Sequence, residues 1–198
     1  MVNKKQLPSF FVVGSQKSGT TTIHNLLKQN KYISLPEYKE THFFSMHFNR
    51  GINWYLSQFT KGNYQIRGEV DPSYMFFPNT YKNIKKINKS SKFIFIFRNP
   101  LDRAYSHYLM SSSRGYEKLS FIDAISKEKE RLKTDENLFS FSNHSYILRS
   151  QYTEQIKEFL KYFDTNEKMF LKFDDLLNID TRKEIYFNIC KFLNINQS

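Results

Sequence analysis

A lysine at position 17, inside the run Gly14-Ser15-Gln16-Lys17-Ser18-Gly19-Thr20-Thr21-Thr22, is the residue of this chain best suited to chemistry. It sets a cation among small hydroxyl residues in a loop whose backbone N–H groups can cradle a phosphate. A nucleoside-triphosphate loop of the form G-x-x-x-x-G-K-[ST] carries its lysine after the second glycine, where it reaches the terminal phosphates next to a magnesium-binding hydroxyl. Here the two glycines keep that spacing, but Thr20 stands in the lysine's place. Magnesium-triphosphate chemistry loses its main anchor, and the cation is aimed at a different part of the ligand. The candidate phosphate-binding residues are Ser15, Gln16, Lys17, Ser18, Gly19, Thr20 and Thr21. A plain Gly/Ser turn between a strand and a helix would account for the glycines but not for the lysine.

A second cation with a hydroxyl follows in Arg98-Asn99-Pro100-Leu101-Asp102-Arg103-Ala104-Tyr105-Ser106-His107, where Arg98 closes an apolar run eight residues before Ser106. A fork-shaped cation with a hydroxyl suits a terminal phosphate, although an arginine capping a sheet edge beside an ordinary helical serine has the same composition. Between the two cations lies Lys39-Glu40-Thr41-His42-Phe43-Phe44, with a carboxylate and an imidazole two residues apart. Either can accept a substrate proton if it faces the site. Glu40 can equally pair with Lys39, and His42 can equally be a packed, hydrogen-bonded residue.

The elements around these residues repeat one pattern. Phe10 to Val13 read as a buried strand and Thr20 to Gln29 as a helix, so the lysine loop opens onto a helix N-terminus that favours an anion. Phe93 to Phe97 is continuously apolar, as in a strand covered on both faces, and ends at Arg98-Asn99-Pro100, where Pro100 suits the start of a helix through Tyr105 and Leu109. Shorter strands are expected over Tyr32 to Leu35, Gln65 to Val70 and Lys168 to Phe173, and helices over Asn53 to Phe59, Thr80 to Asn88, Leu119 to Leu132, Tyr146 to Tyr162 and Arg182 to Leu193. This alternation predicts an α/β fold, three layers with a mostly parallel central sheet, in which ligands bind beyond the carboxyl ends of the strands. The Lys17 loop and the Arg98 turn both fall at such ends.

At 198 residues, without a Pro/Gly/Ser-rich linker, a single domain over 1–198 is expected. The 20 Phe and 13 Tyr supply core volume as rings. The formal charge of +11 attracts anions without choosing among a phosphorylated cofactor, an acidic glycan, nucleic acid and a membrane surface, and mixed-charge stretches such as Lys127 to Lys133 read as solvated faces. The single Cys190 excludes an internal disulfide and a cysteine-based metal cluster. With no apolar run of membrane-spanning or signal-peptide length, a cytoplasmic location is expected.

Taken together, the motifs resemble the sulfotransferases that use 3′-phosphoadenosine-5′-phosphosulfate, particularly the branch of heparan-sulfate sulfotransferases and their bacterial relatives, from Phe10 to about Leu193. Phe11 to Thr21 is similar to that family's 5′-phosphosulfate loop, and Phe95 through Ser106 to its 3′-phosphate motif. Lys39 to Phe44 is similar to the segment with its catalytic glutamate. Gly68-Glu69-Val70-Asp71-Pro72-Ser73-Tyr74 and Phe170 to Leu176 match two further blocks. The resemblance implies Lys17 on the 5′-phosphosulfate, Arg98 and Ser106 on the 3′-phosphate, and Glu40 as base with His42 the competing base. It also implies no required metal, adenosine 3′,5′-bisphosphate as product, and a hydroxyl or amine acceptor, expected to be a carbohydrate rather than nucleic acid. In-line transfer of this kind needs leaving-group stabilisation, which a lysine inside the loop supplies, and a base. Two departures stand out: Val70 occupies a position where many relatives have lysine, and no glycine follows Gly115, so the family's basic, glycine-containing loop over the cofactor is expected to be missing. The alternatives are a phosphotransferase with a modified loop, and a basic glycan- or nucleotide-binding module without turnover.

Overall fold

The computed structural model describes residues 7–60, 62, 64–135 and 138–196. They gather into two compact units, one comprising the residues up to Phe97 and from Gln155 on, the other Arg98–Glu154. Five strands, β1 (Phe10–Gly14), β2 (Ile33–Ser34), β3 (Ile66–Val70), β4 (Lys92–Phe97) and β5 (Lys168–Lys172), form one parallel sheet in the first unit, ordered β2-β3-β1-β4-β5. The helices are α1 (Thr20–Lys28), α2 (Gly51–Ser57), α3 (Thr80–Ile87), α4 (Pro100–Ser113), α5 (Phe121–Lys133), α6 (Phe139–Asn143), α7 (Tyr152–Leu160) and α8 (Ile179–Leu193).

The period of two along a strand divides the core of the first unit into two faces. Phe10, Val12, Val70, Ile94 and Ile96 pack with Ile23 and Leu27 of α1 and Ile185, Ile189, Cys190 and Leu193 of α8. Phe11, Phe93 and Phe95 take part in an aromatic cluster with Phe44, Tyr74, Tyr81 and Phe159. The α/β arrangement expected from the alternation is therefore present. Gly68 sits opposite Phe10, and a Cβ there would lie 2.2 Å from the Phe10 ring. The sheet order places the topological switch between β1 and β4, since the chain leaves β1 toward β2 and β4 toward β5.

In the second unit Ala104, Ala124 and Tyr146 form a small core with Tyr108, Leu119 and Phe121, and polar groups do much of the holding. Glu117 takes Arg131 at 2.5 and 3.2 Å, the Tyr146 hydroxyl at 3.0 Å and the N–H groups of Lys118 and Leu119. Burial opposes ionisation of Glu117, but the Arg131 fork and the other donors outweigh it and hold the carboxyl down at about 2. Arg103 is wholly buried, with Nε donating to Ser150 Oγ at 2.6 Å and another guanidinium nitrogen donating to the Tyr146 carbonyl.

One expected helix is corrected. The spacing from Tyr146 to Tyr162 predicts one long helix, but the chain turns through 146–147, makes a 3-10 turn at Leu148–Ser150, leaves helical geometry at Gln151, and enters α7 at Tyr152. Glu128 of α5 explains the break: its carboxylate accepts the N–H groups of Ile147 and Leu148 at 2.7 and 2.8 Å. The last helix starts at Ile179 rather than Arg182, because the Asn178 side chain accepts the N–H groups of Asp180 and Thr181 as a cap. The short helix α6 was not expected from the sequence.

Candidate active site

The loop after β1 is pinned to β4 before it reaches α1. Ser15 N–H donates to the Ile96 carbonyl at 2.7 Å, Ser15 Oγ donates to the same carbonyl at 3.1 Å, and Ser18 Oγ lies 2.6 Å from Ser15 Oγ. With the Ser15 proton on Ile96, Ser18 is the donor in the serine pair. These two hydroxyls shape the loop that carries Lys17 and leads into Thr20 and Thr21. Gly19 caps α1 at φ +85°, and a Cβ there would come within 2.9 Å of Leu176 and 3.2 Å of Phe173. Its helix has no capping side chain and no acid in its first turn, so the N-terminal N–H groups and dipole are arranged for an anion. The donor set fits the 5′-phosphosulfate end of a nucleotide.

Glu40 and His42 sit in the first unit on a loop held by two carboxylates from the end of β3. Glu69, fully buried, accepts Thr41 N–H at 2.9 Å, Thr41 Oγ1 at 2.6 Å, Tyr55 OH at 2.7 Å and Tyr74 OH at 2.8 Å. Asp71, also fully buried, accepts His42 N–H at 2.9 Å, Ser73 N–H at 3.0 Å and Ser73 Oγ at 2.6 Å. Burial first, and then the Asp71 charge, push the Glu69 carboxyl up to about 7. His42 Nδ1 stands 3.0 Å from Asp71 Oδ2 and 3.1 Å from Ser73 Oγ. Burial lowers the His42 pKa, but the Asp71 hydrogen bond and the charges of Asp71, Glu40 and Glu69 more than offset this and the net shift is upward. Glu40 is ion-paired with Lys39, the pairing that the sequence left open. His24, one turn into α1, is shifted the other way by burial and by Lys39 and Lys28.

Lys17, Glu40 and His42 share a backbone property: each has positive φ, at 68°, 67° and 53°, among six non-glycine residues of that kind in the described chain. Val70 is a core residue packed beside Phe10 and Val12. Sequence reasoning gave no role to Glu69, Asp71 or Ser73, although two carboxylates closing a buried strand were a visible signal: such groups need donors from elsewhere.

Arg98 and Ser106 lie in the second unit. Asn99 caps α4 by accepting the N–H groups of Leu101 and Asp102 at 3.0 and 3.3 Å, Pro100 opens it, and Ser106 is half-buried further along. The Arg98 carbonyl accepts Tyr152 OH at 3.0 Å, which fixes the backbone at the point where the guanidinium leaves the chain. Among the described residues no group of His, Cys, Asp and Glu could hold a metal ion.

A phosphate loop after the first strand of a parallel sheet, at the switch point of its strand order, defines a phosphate-loop α/β protein. Residues 7–198 match the family model for the sulfotransferase domain, and the chain belongs to that family. It is 25% identical to mouse heparan sulfate glucosamine 3-O-sulfotransferase 3B1, over 94% of this chain and 51% of that protein. The crystal structure of a sulfotransferase from Alicyclobacillus acidocaldarius superposes with a TM-score of 0.85 at 26% identity, over 96% of this chain and 82% of the other. Mouse sulfotransferase SULT7A1 complexed with PAP shares the fold at a TM-score of 0.60 and 16% identity, over 99% of this chain and 61% of that one. The chain spans about half the length, or less, of curated relatives such as these.

Proposed function

We propose that this chain transfers a sulfuryl group from 3′-phosphoadenosine-5′-phosphosulfate to a hydroxyl or amine of a carbohydrate. The observation that carries the reading is the loop from Ser15 to Gly19, with its lysine inside, Thr20 where a triphosphate loop has lysine, and an uncapped, acid-free helix N-terminus behind it. The 5′-phosphosulfate is held there, and Arg98 with Ser106 takes the 3′-phosphate. As the bond from sulfur to the phosphate oxygen breaks and the bond to the acceptor forms, Lys17 offsets charge left on the phosphate and Glu40 receives the acceptor's proton. The Lys39–Glu40 pair is partly exposed, so opening it costs on the order of 1 kcal/mol and leaves Glu40 usable. A carbohydrate acceptor is supported by relatives whose names state action on heparan sulfate glucosamine.

Transfer of labelled sulfate from the donor to a panel of glycans, alcohols and amines tests the reading. Transfer to a glycan is expected; no transfer to any acceptor, with no binding of adenosine 3′,5′-bisphosphate, overturns it. The same ion pair favours a second reading, a basic glycan- or nucleotide-binding module in which Glu40 is only a surface partner. Glu40→Gln separates the two: an enzyme loses rate and keeps bisphosphate affinity, whereas a module changes in neither.

A further inference from the structure

The site contains a carboxylate–imidazole pair that the proposed chemistry has not used. Asp71 holds His42 at two points, through the backbone N–H at 2.9 Å and through ring Nδ1 at 3.0 Å, and has no exposed surface of its own. Its second oxygen is occupied by Ser73 N–H and Ser73 Oγ, and Ser45 Oγ lies 3.1 Å from Ser73 Oγ, so the carboxylate cannot rotate away without orphaning several donors. A carboxylate oxygen accepts only, which fixes a proton on Nδ1. Because Ser73 and Asp71 address the same ring nitrogen, the three residues are not a nucleophilic Ser-His-Asp relay, which needs one partner on each nitrogen. Nε2 is not buried and has no partner among the described residues, and 33% of the His42 side chain is exposed.

The charges facing His42 are Glu40 and Lys39 on its own loop, paired with each other, Asp71 and Glu69 from the end of β3, and His47 beyond it. The buried Asp71 carboxylate has no lysine or arginine in that set against it, and His42 is the cation it favours.

We propose that Asp71 is the positioning residue of His42, fixing its Nδ1 proton and holding the ring as a cation whose Nε2–H donates to the acceptor or the transferring group while Glu40 takes the proton. This assignment rests on the proposed sulfuryl transfer. It gives the site a second positive group after Lys17, on the loop that also carries the base. Its pH signature has a definite sign: activity falls as pH rises through the His42 pKa, which lies above the ordinary histidine value.

Imidazole ¹⁵N spectra of the whole chain, with His42→Gln assigning the signal, test the pairing without reference to activity. The neutral ring is expected to carry its proton on Nδ1, and Asp71→Asn to move the His42 midpoint to lower pH, while Ser73→Ala leaves it nearly in place. A neutral ring protonated on Nε2 in the unmodified protein overturns the proposal whether or not Asp71→Asn folds. In sulfuryl-transfer assays Asp71→Asn is expected to lower kcat about tenfold or more, to keep the donor KM, and to shift the basic limb of the pH profile to lower pH. An unshifted limb also overturns it. Absence of transfer by the unmodified chain refutes the sulfotransferase reading, and the spectra then decide the pairing separately.

Discussion

Removing the Glu69 carboxylate should cost more than removing any one of its partners. Glu69→Ala leaves Tyr55 OH and Tyr74 OH, both on wholly buried residues, without their acceptor, while half-buried Thr41 can turn to water. Tyr74 keeps a fallback in Thr41 Oγ1 at 3.4 Å; Tyr55 has none among its described hydrogen bonds. At about 1–3 kcal/mol for each orphaned buried donor, plus the cavity, the loss comes to about 3–6 kcal/mol, a large share of a domain's usual 5–15 kcal/mol. Glu69→Gln keeps the volume and lets its oxygen serve Thr41, but its amide can only donate to the two tyrosines, so with the Tyr55 O–H left unpaired it should cost about 1–3 kcal/mol, less than Glu69→Ala. Urea unfolding followed by circular dichroism and by the fluorescence of the single tryptophan, Trp54, measures both. In a double-mutant cycle, Tyr55→Phe should cost little once Glu69 is Ala, with a coupling of about 1–3 kcal/mol. The folded state holds the Glu69 proton up to about 7 against 4.5 when unfolded, so this group's contribution falls as pH rises between those values, by on the order of 3 kcal/mol, and Glu69→Gln removes that slope. A loss below about 1 kcal/mol for Glu69→Ala, or a cycle without coupling, refutes the reasoning.

Glu117 predicts the opposite pH behaviour in the second unit. Its carboxyl is held at about 2 against 4.5 unfolded, so its contribution is complete above 4.5 and is lost as pH falls through about 2; Arg131→Met should abolish about 2–3 kcal/mol of that acid-labile stability in melts across pH 2 to 6. Gly19→Ala, strained by its φ of +85° and by contact with Leu176, should destabilise the first unit by about 1–3 kcal/mol, and an unchanged melting temperature would contradict the packing described. Lys17→Ala should lower the rate of sulfuryl transfer about 10²-fold or more and weaken adenosine 3′,5′-bisphosphate binding much less, as calorimetry beside a rate assay would show. Equal loss in both would make Lys17 a binding residue only.

The fold was legible where local chemistry decides it. An apolar run before a glycine loop gave β1 and α1, and Phe93 to Phe97 gave a central strand, because burial on both faces leaves no polar alternation. Legibility failed where a distant side chain intervenes. Glu128 accepts N–H groups nineteen and twenty residues on and breaks a helix that the spacing of Tyr152, Ile156 and Phe159 continues backward. The boundary at Phe97 has no linker composition to mark it, since β4 runs into Arg98 and α4 without a Gly/Ser stretch. In the candidate site, Lys17 and Glu40 are proposed from their motifs. Glu69 and Asp71 take their meaning from Thr41, Tyr55, His42 and Ser73, partners that only folding brings to the end of β3.

The left-handed backbone at Lys17, Glu40 and His42 carries an evolutionary consequence. A side chain with a Cβ costs roughly 1 kcal/mol in that region and glycine almost nothing, so under the proposed roles each position trades stability for its functional group. A descendant relieved of the reaction would gain by drifting to glycine or asparagine at 40 and 42 before anything in its core changed. Loss of function in this lineage should therefore be written first in the loops, in proteins that melt at higher temperature than their active ancestors.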